Sequence, residues 1–462
     1  MITILIPPFF RFLGSHNNKI GPSTLVLAQK LTEESIPCVL YNADSVPESE
    51  EYADWYSIFH NYHHYSSIVN DLYKGFSHPI MDTMMKTLKE MSPDSVIVCS
   101  ADPALPTVDL GGIEIVAQTI KRIRLEMPDV KIFGYGLSFA LNSAMESLVD
   151  FPILSYAEQA LPIFEPGLGR LLFRSNFLDE QTLSSLPPLD VEKIGAFQQV
   201  HGTNFDYVMA SRGCSYKQCV FCLNASSLLG APYVIRSPES FALDVKTRQA
   251  KLLLDYFYFA DMSFFSHTEE YLQALAKEFT EWQFKFTCEA RVHEVTPKKL
   301  DLMKQFGLRT VKLGVEGASD ELLTLYKKGT TVAEVKEKVQ MIHDFGLRVV
   351  VYLLLGHPKA TKEMYSEALS TAVSLDGDYY VINVACPYIG TPLWEICDTD
   401  RLRKMGLIRD GIEFGFTHLS HDLLDFWGIP LDLFESYMLL SGTRKKEDEA
   451  VAGVKRYVRK IL

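Results

Sequence analysis

No uninterrupted apolar stretch in the 462-residue chain approaches the roughly 18 residues that a membrane-spanning helix requires. The apolar run Ile2–Ile6 after Met1 leads into Pro7 and Pro8, with no basic n-region and no small-residue cleavage site, so it does not read as a signal peptide. Dense Lys/Arg blocks are missing as well. The 45 basic against 58 acidic side chains give a formal charge of −13, which disfavours a nucleic-acid partner. There is no low-complexity tract and no sustained short-period repeat. A disulfide framework is also absent: of eight cysteines, three fall within nine residues and five are scattered, the usage of a reduced compartment with a metal site. These absences describe a cytoplasmic protein with no membrane partner.

What is present is an ordered chain, 47% apolar and 12% aromatic, long enough for about three domains. Short β-rich runs alternate with amphipathic segments in the first third: Ile2–Ile6, Val39–Tyr41, Ser95–Cys99, Val130–Phe133 and Ile153–Tyr156. This order predicts a doubly wound, Rossmann-like parallel sheet over 1–165, with an insertion at 44–93. His60, His63 and His64 in that insertion read as surface residues, not a metal site. The Pro- and Gly-rich stretch 166–204 reads as a linker. Six βα units follow between 205 and 397, with strands expected from Asp206–Ala210 to Tyr379–Val384, as in a partial TIM-type barrel. A small, mostly helical region is expected over 398–462. The fold class is therefore α/β.

The segment SRGCSYKQCVFCLNASS follows the first strand of the second domain. Four residues separate Cys214 from Cys219, and two separate Cys219 from Cys222. Soft thiolates on one loop select iron–sulfur or zinc centres. A structural zinc needs four protein ligands, and only Cys288, from a neighbouring strand, could be recruited as the fourth. Three cysteines without an evident fourth ligand suit a cluster with one iron left open.

The loop resembles the signature of the radical S-adenosylmethionine (SAM) family, with Phe221 as the aromatic before the last cysteine; its first spacing is four residues where the family usually has three. The likeness continues through YVIRSPESFALDV, FYFADMSFF, FTCEARV, TVKLGVEGASDELLTLYKKGTTVAEV, RVVVYLLLGHPKATKEM and CPYIGTPLWE. It implies a 4Fe-4S cluster on Cys214, Cys219 and Cys222, with SAM chelating the open iron. Phe221 would lie against the adenine, Glu316 would bond the ribose, and Glu289 or Arg291 would engage the methionine end. Asp261, Gly314 and Tyr352 complete the implied SAM site.

In the first domain, the third strand runs into CSADPALPTVDLGG and the fourth into FGYGLSFALNSAMESL. Small residues and Gly at strand ends let a large flat ligand approach the backbone. The order of the domain resembles the cobalamin-binding domain of cobalamin-dependent radical SAM enzymes. That likeness implies cobalamin near Asp102, Pro103, Ala104, Leu105, Gly134, Gly136, Ser138 and Glu158. The Asp–x–His–x–x–Gly segment that supplies a cobalt ligand in other cobalamin proteins is absent, and His16 lacks an orienting Asp, so no histidine is expected on cobalt.

The implied activity is reductive cleavage of SAM to a 5′-deoxyadenosyl radical, followed by cobalamin-dependent C-methylation of a small molecule or peptide. A flavodoxin or ferredoxin would donate the electron. Two alternatives stand beside it: a radical rearrangement or oxidation with cobalamin used differently or absent, and an iron–sulfur binding or electron-transfer protein without turnover.

Overall fold

The computed structural model describes residues 1–8, 20–43, 70–103, 112–153, 157, 160–165, 170–175, 178–190, 196–197, 206–226, 233–413 and 421–442, with backbone alone at 160–165, 170–175, 196–197 and 441–442. The first sheet contains β1 (Ile2–Ile6), β2 (Cys38–Asn42), β3 (Ser95–Cys99), β4 (Lys131–Tyr135) and β5 (Phe151–Ile153). All five residues of β1 are buried, as expected of a strand covered on both faces. A hairpin of β6 (Ala160–Glu165) and β7 (Arg170–Ser175) follows, and then β8 (Ala196–Phe197). The sheet order is β5-β4-β3-β1-β2-β8, parallel throughout. Within the stretch read as a linker, β7 completes the hairpin and β8 pairs with β2 as an edge strand. Their short β-prone runs are masked in the sequence by the surrounding turn residues.

The strand order reverses between β1 and β3, the place where doubly wound sheets take ligands at their carboxyl edge. Asp102, just beyond β3, reaches across this point. Its Oδ2 accepts from the amides of Ser23 (3.0 Å) and Thr24 (3.4 Å), at the start of the helix Pro22–Glu33, whose own N-cap, Gly21, offers no side chain. A Cβ on Gly21 would stand 2.1 Å from that oxygen, so glycine is required there.

The second sheet begins with β9 (Asp206–Val208), after which β10 (Ser211–Arg212) pairs antiparallel with β11 (Val234–Ile235). Then come β12 (Tyr256–Phe259), β13 (Lys285–Arg291), β14 (Leu308–Glu316), β15 (Arg348–Leu355) and β16 (Tyr379–Val384). Six parallel strands lie in the order β16-β15-β14-β13-β12-β9, the wall of a partial barrel. The intervening helices start where the sequence supplies a cap. Ser237, Thr268, Thr296, Thr331 and Thr361 each accept a hydrogen bond from the amide three residues on. After the barrel, the region expected to be mostly helical opens with the helix Thr399–Lys404, then carries a short hairpin, β17 (Ile408–Arg409) and β18 (Ile412–Glu413), before the helices His421–Trp427 and Leu431–Gly442. No helix among the described residues is long and apolar enough to cross a membrane.

A buried ionic cluster ties the start of the barrel to its first helix. Asp244 bonds Arg236 (3.1 Å) and Arg248 (3.0 Å), and Arg248 also reaches Asp206 on β9 (2.9 Å). Burial alone would raise the Asp244 carboxyl, but the Arg248 and Arg236 guanidiniums outweigh it and hold the group below the usual carboxylate range. Removing the carboxylate leaves two guanidiniums buried without it. Asp244→Ala should therefore cost about 3–5 kcal/mol, read as a lower urea midpoint; an unchanged midpoint would show the cluster to be energetically neutral.

Candidate active site

Cys214, Cys219 and Cys222 are free thiols on the loop that leaves β10 at the barrel mouth. The loop is pinned from two sides. The Val220 amide donates to the Tyr326 carbonyl (3.2 Å), beyond β14, and the Val220 carbonyl accepts from the Leu393 amide (2.8 Å), beyond β16. Tyr216 adds a third tie, its hydroxyl donating to the Lys327 carbonyl at 2.9 Å. The Tyr216 amide points at Cys214 Sγ (3.4 Å) and Asn224 Nδ2 at Cys222 Sγ (3.7 Å), the donors a thiolate would use. Burial pushes the Cys222 thiol up to about 12 and raises Cys219, with Lys328 pulling Cys219 back. Such thiols give up their protons only to a strong competitor, as a metal is. No group of three His, Cys, Asp or Glu among the described residues stands as ligands of one ion would. A cluster asks less, because each thiolate takes its own iron. Cys288, the fourth ligand that a zinc would need, is fully buried within β13.

Beside the loop lies a buried ion pair, Lys328 Nζ to Glu316 Oε1 at 3.6 Å. The same ammonium stands 5.8 Å from the Phe221 ring centre, and Phe221 packs edge-on against Tyr326. Glu316 ends β14 at φ +64°, a left-handed conformation that costs a non-glycine residue on the order of 1–3 kcal/mol and that clusters at functional sites. Gly314, two residues earlier, leaves the space this pair needs: a Cβ there would lie 3.1 Å from Glu316 Oε1 and 3.5 Å from Lys328 Nζ. Arg291, at the end of β13, stacks on Tyr216 at 3.5 Å and donates to Glu294 at 3.3 Å, while its Nε and Nη2 remain buried without a hydrogen-bond partner. Two unsatisfied guanidinium donors fit an anionic group such as a carboxylate.

Further down the barrel, Glu289 accepts from the hydroxyls of Tyr258 and Tyr352 (3.4 Å for the latter) and lies 3.9 Å from Lys312 Nζ. Burial raises the Glu289 carboxyl and lowers the Lys312 ammonium. Asp261 is fully buried, and its carboxylate accepts from the Ala210 amide (3.0 Å), the Ser211 hydroxyl and His267 Nε2 (3.3 Å), so it braces the chain between β9 and β10.

At the carboxyl edge of the first sheet, two expected contacts likewise have internal roles. Asp102 caps the helix Pro22–Glu33, and Gly134 lies inside β4, where a Cβ would meet the Phe139 ring at 2.6 Å. Gly136 stands at the edge itself, at φ +115°, with Ala101 O and Ser100 Oγ each 2.5 Å from where a Cβ would be. Ser138 is buried, its amide bonded to Ser100 Oγ (3.3 Å) and its own Oγ without a hydrogen-bond partner. Pro103 is buried nearby. Ala104, Leu105, Glu158, His16, His60, His63 and His64 lie outside the described residues.

Lys328, Lys312 and Tyr216 were not singled out from the sequence. A Lys–Gly pair after the short helix Asp320–Leu325 is the signal that Lys328 left; Lys312 left its charge inside an otherwise apolar strand.

Residues 208–372 match the radical SAM superfamily. The chain is 29% identical over 250 residues to an uncharacterized methyltransferase of Pyrococcus horikoshii, covering 54% of this chain and 52% of that protein. It is 25% identical over 186 residues to the hopanoid C-3 methylase of Methylococcus capsulatus, covering 40% and 35%. The chain thus spans about half, or less, of the length of these relatives. In structure it resembles the radical SAM methyltransferase TsrM from Kitasatospora setae, solved with cobalamin and a [4Fe-4S] cluster (TM-score 0.55, 15% identity, 85% of this chain and 73% of that one). It also resembles OxsB, a cobalamin-dependent SAM radical enzyme (TM-score 0.51, 14% identity, 80% and 51%). These likenesses show a shared fold.

The Glu316–Lys328 pair makes a test of the site itself. Lys328→Met should destabilise the metal-free protein by about 3 kcal/mol, because it strands a buried carboxylate. Adding Glu316→Gln to that variant should recover part of the loss. Urea unfolding of the four proteins checks this; strict additivity would mean the two groups do not interact.

Proposed function

We propose that this chain, whose residues 208–372 match the radical SAM superfamily, is a cobalamin-dependent radical SAM C-methyltransferase acting on a small molecule or peptide. The observation that carries this reading is the pinned loop of three free cysteines at the barrel mouth, next to the Glu316–Lys328 pair. The bound groups would supply one-electron cleavage of SAM to methionine and a 5′-deoxyadenosyl radical, together with a methyl group for the substrate carbon. An electron carrier such as a flavodoxin or ferredoxin fits the single-electron demand.

The chain's own residues then bind, orient and exclude water. Cys214, Cys219 and Cys222 hold the cluster. Phe221 offers an apolar face to the adenine, Glu316 accepts from the ribose hydroxyls, and Arg291 turns its two unsatisfied donors to the methionine carboxylate. Lys328, 3.6 Å away, offsets part of the burial that raises the Glu316 carboxyl. Gly314 leaves the room, and Glu289 with Tyr352 forms the wall beneath. At the first sheet, the open Ser138 hydroxyl and the Gly136 edge support cobalamin. The internal roles of Asp102 and Gly134 favour one second reading, a radical rearrangement or oxidation without cobalamin. A product heavier than substrate by one methylene decides for methylation.

Replacing any one of the three cysteines by Ala should abolish the oxygen-sensitive iron chromophore and SAM cleavage, whereas Cys38, Cys99, Cys386 and Cys397 should tolerate Ser or Ala with iron content intact. Normal SAM cleavage by Cys219→Ala would overturn the ligand assignment. Glu316→Ala should keep its iron yet bind SAM about ten- to a hundredfold more weakly, the loss of a charge-assisted hydrogen bond of roughly 1.5–3 kcal/mol. Equilibrium dialysis with labelled SAM reads it, and native affinity would assign Glu316 a structural role only.

A further inference from the structure

We infer that Glu413 is a positioning residue that fixes the carboxyl edge of the first sheet relative to the cysteine loop of the barrel. The β17–β18 hairpin follows the barrel in sequence yet touches both units. Glu413, on β18, is 3% exposed, and its two oxygens take different partners. Oε2 accepts from Asn142 Nδ2 of the first domain at 2.7 Å, and Oε1 accepts from the Ile389 amide at the barrel mouth at 3.3 Å.

Each contact leads directly to a site already described. Asn142 ends the helix Leu137–Leu141, which carries Ser138: its amide donates to the Ser138 carbonyl (3.2 Å), and its Oδ1 accepts from the amides of Ala144 (2.9 Å) and Met145 (3.4 Å). Its Nδ2 also donates to the Gly411 carbonyl at 3.1 Å, so the side chain is held at both ends. On the other side, Ile389 lies in the turn before the helix Pro392–Ile396, whose Leu393 amide donates to Val220 in the cysteine loop. Lesser ties flank the clasp, Arg409 to Asn70 Oδ1 (2.9 Å) and Lys121 to Asp410 (4.0 Å). The hairpin turns through Gly411 at φ +77°, where a Cβ would lie 3.1 Å from Ala144 Cβ.

A carboxylate is the group this junction requires. Both partners are donors, so both oxygens must accept, and a glutamine amide would set a donor against one of them. Two reacting centres held by separate domains also need such a fixed spacing, because a misplacement of roughly 1 Å can cost about a hundredfold in rate. The inference rests on the proposed function in one respect: the first sheet is taken to hold a group that reacts with a radical made at the cysteine loop.

Two measurements on the full chain test it, with Glu413→Ala and the near-isosteric Glu413→Gln, which keeps one acceptor should the alanine variant fail to fold. Hydrogen exchange of the protein as purified should quicken by about tenfold at both 142–146 and 387–393, the consequence of losing charge-assisted bonds, and stay native in the helix Pro238–Leu252. In the loaded enzyme, methylated product per 5′-deoxyadenosine should fall about tenfold, with iron content and SAM affinity native and Glu413→Gln intermediate. Exchange that changes only within 408–413 overturns the clasp, and a native product ratio overturns its positioning role. Failure of the unmodified protein to methylate any substrate would sink the proposed function instead, and hydrogen exchange alone would then decide for or against the clasp.

Discussion

The cysteine loop can serve as a site only because the main chain of Val220 is held at both ends. Its amide is taken by Tyr326 and its carbonyl by Leu393. A loop of ten residues carrying three thiols has no regular hydrogen-bond ladder of its own, and its buried backbone groups need partners. Here they come from the segments following β14 and β16, so the loop's shape is set by the curvature of the whole sheet. Tyr216 extends the same logic. Its hydroxyl holds Lys327, and its ring carries the Arg291 guanidinium. Gly329 is needed close by, since a Cβ there would stand 2.5 Å from that hydroxyl.

The charges around the loop follow from this placement. Barrel interiors are ordinarily filled with branched apolar side chains, but this one holds Glu289, Arg291, Lys312 and Glu316 on inward positions of two adjacent strands, with Lys328 above them. Each carboxylate has a cation within 4 Å, yet none of these pairs is a short, saturated salt bridge. Charges left under-satisfied in a buried space carry a large desolvation cost unless a ligand completes them. The left-handed backbone at Glu316 adds to that cost. Stability is conceded where a polar ligand with both signs of charge would restore it.

Much of this was legible in the residues. The periodicity of 2–153 and 206–384 foretold two parallel α/β units, and every barrel strand lies where its apolar run predicts, within a few residues. The Ser and Thr caps then set where the intervening helices start. Hairpins were not legible. The β6–β7 and β17–β18 pairs and β8 are short, and short strands derive their stability from partners distant in sequence. Asp102 and Asp261 show the same limit for sites. An acidic residue at the end of a strand looks alike in sequence whether it faces a ligand or an amide of its own chain. Here both face amides, Ser23 and Thr24 for the one and Ala210 for the other.

The sequence by itself determined the cysteine spacing, the order of strands and helices and the carboxyl-edge location of the site, because these depend on local periodicity and on the rule that parallel strands present their ends to one side. Only the tertiary structure decided which polar groups remain open. Lys328 folds back onto Glu316 from beyond β14, Glu413 joins Asn142 to Ile389 across a long stretch of chain, and Arg291 keeps two donors unpaired. Such pairings arise when burial brings together groups whose hydrogen-bonding demands nothing in their sequence neighbourhood could meet.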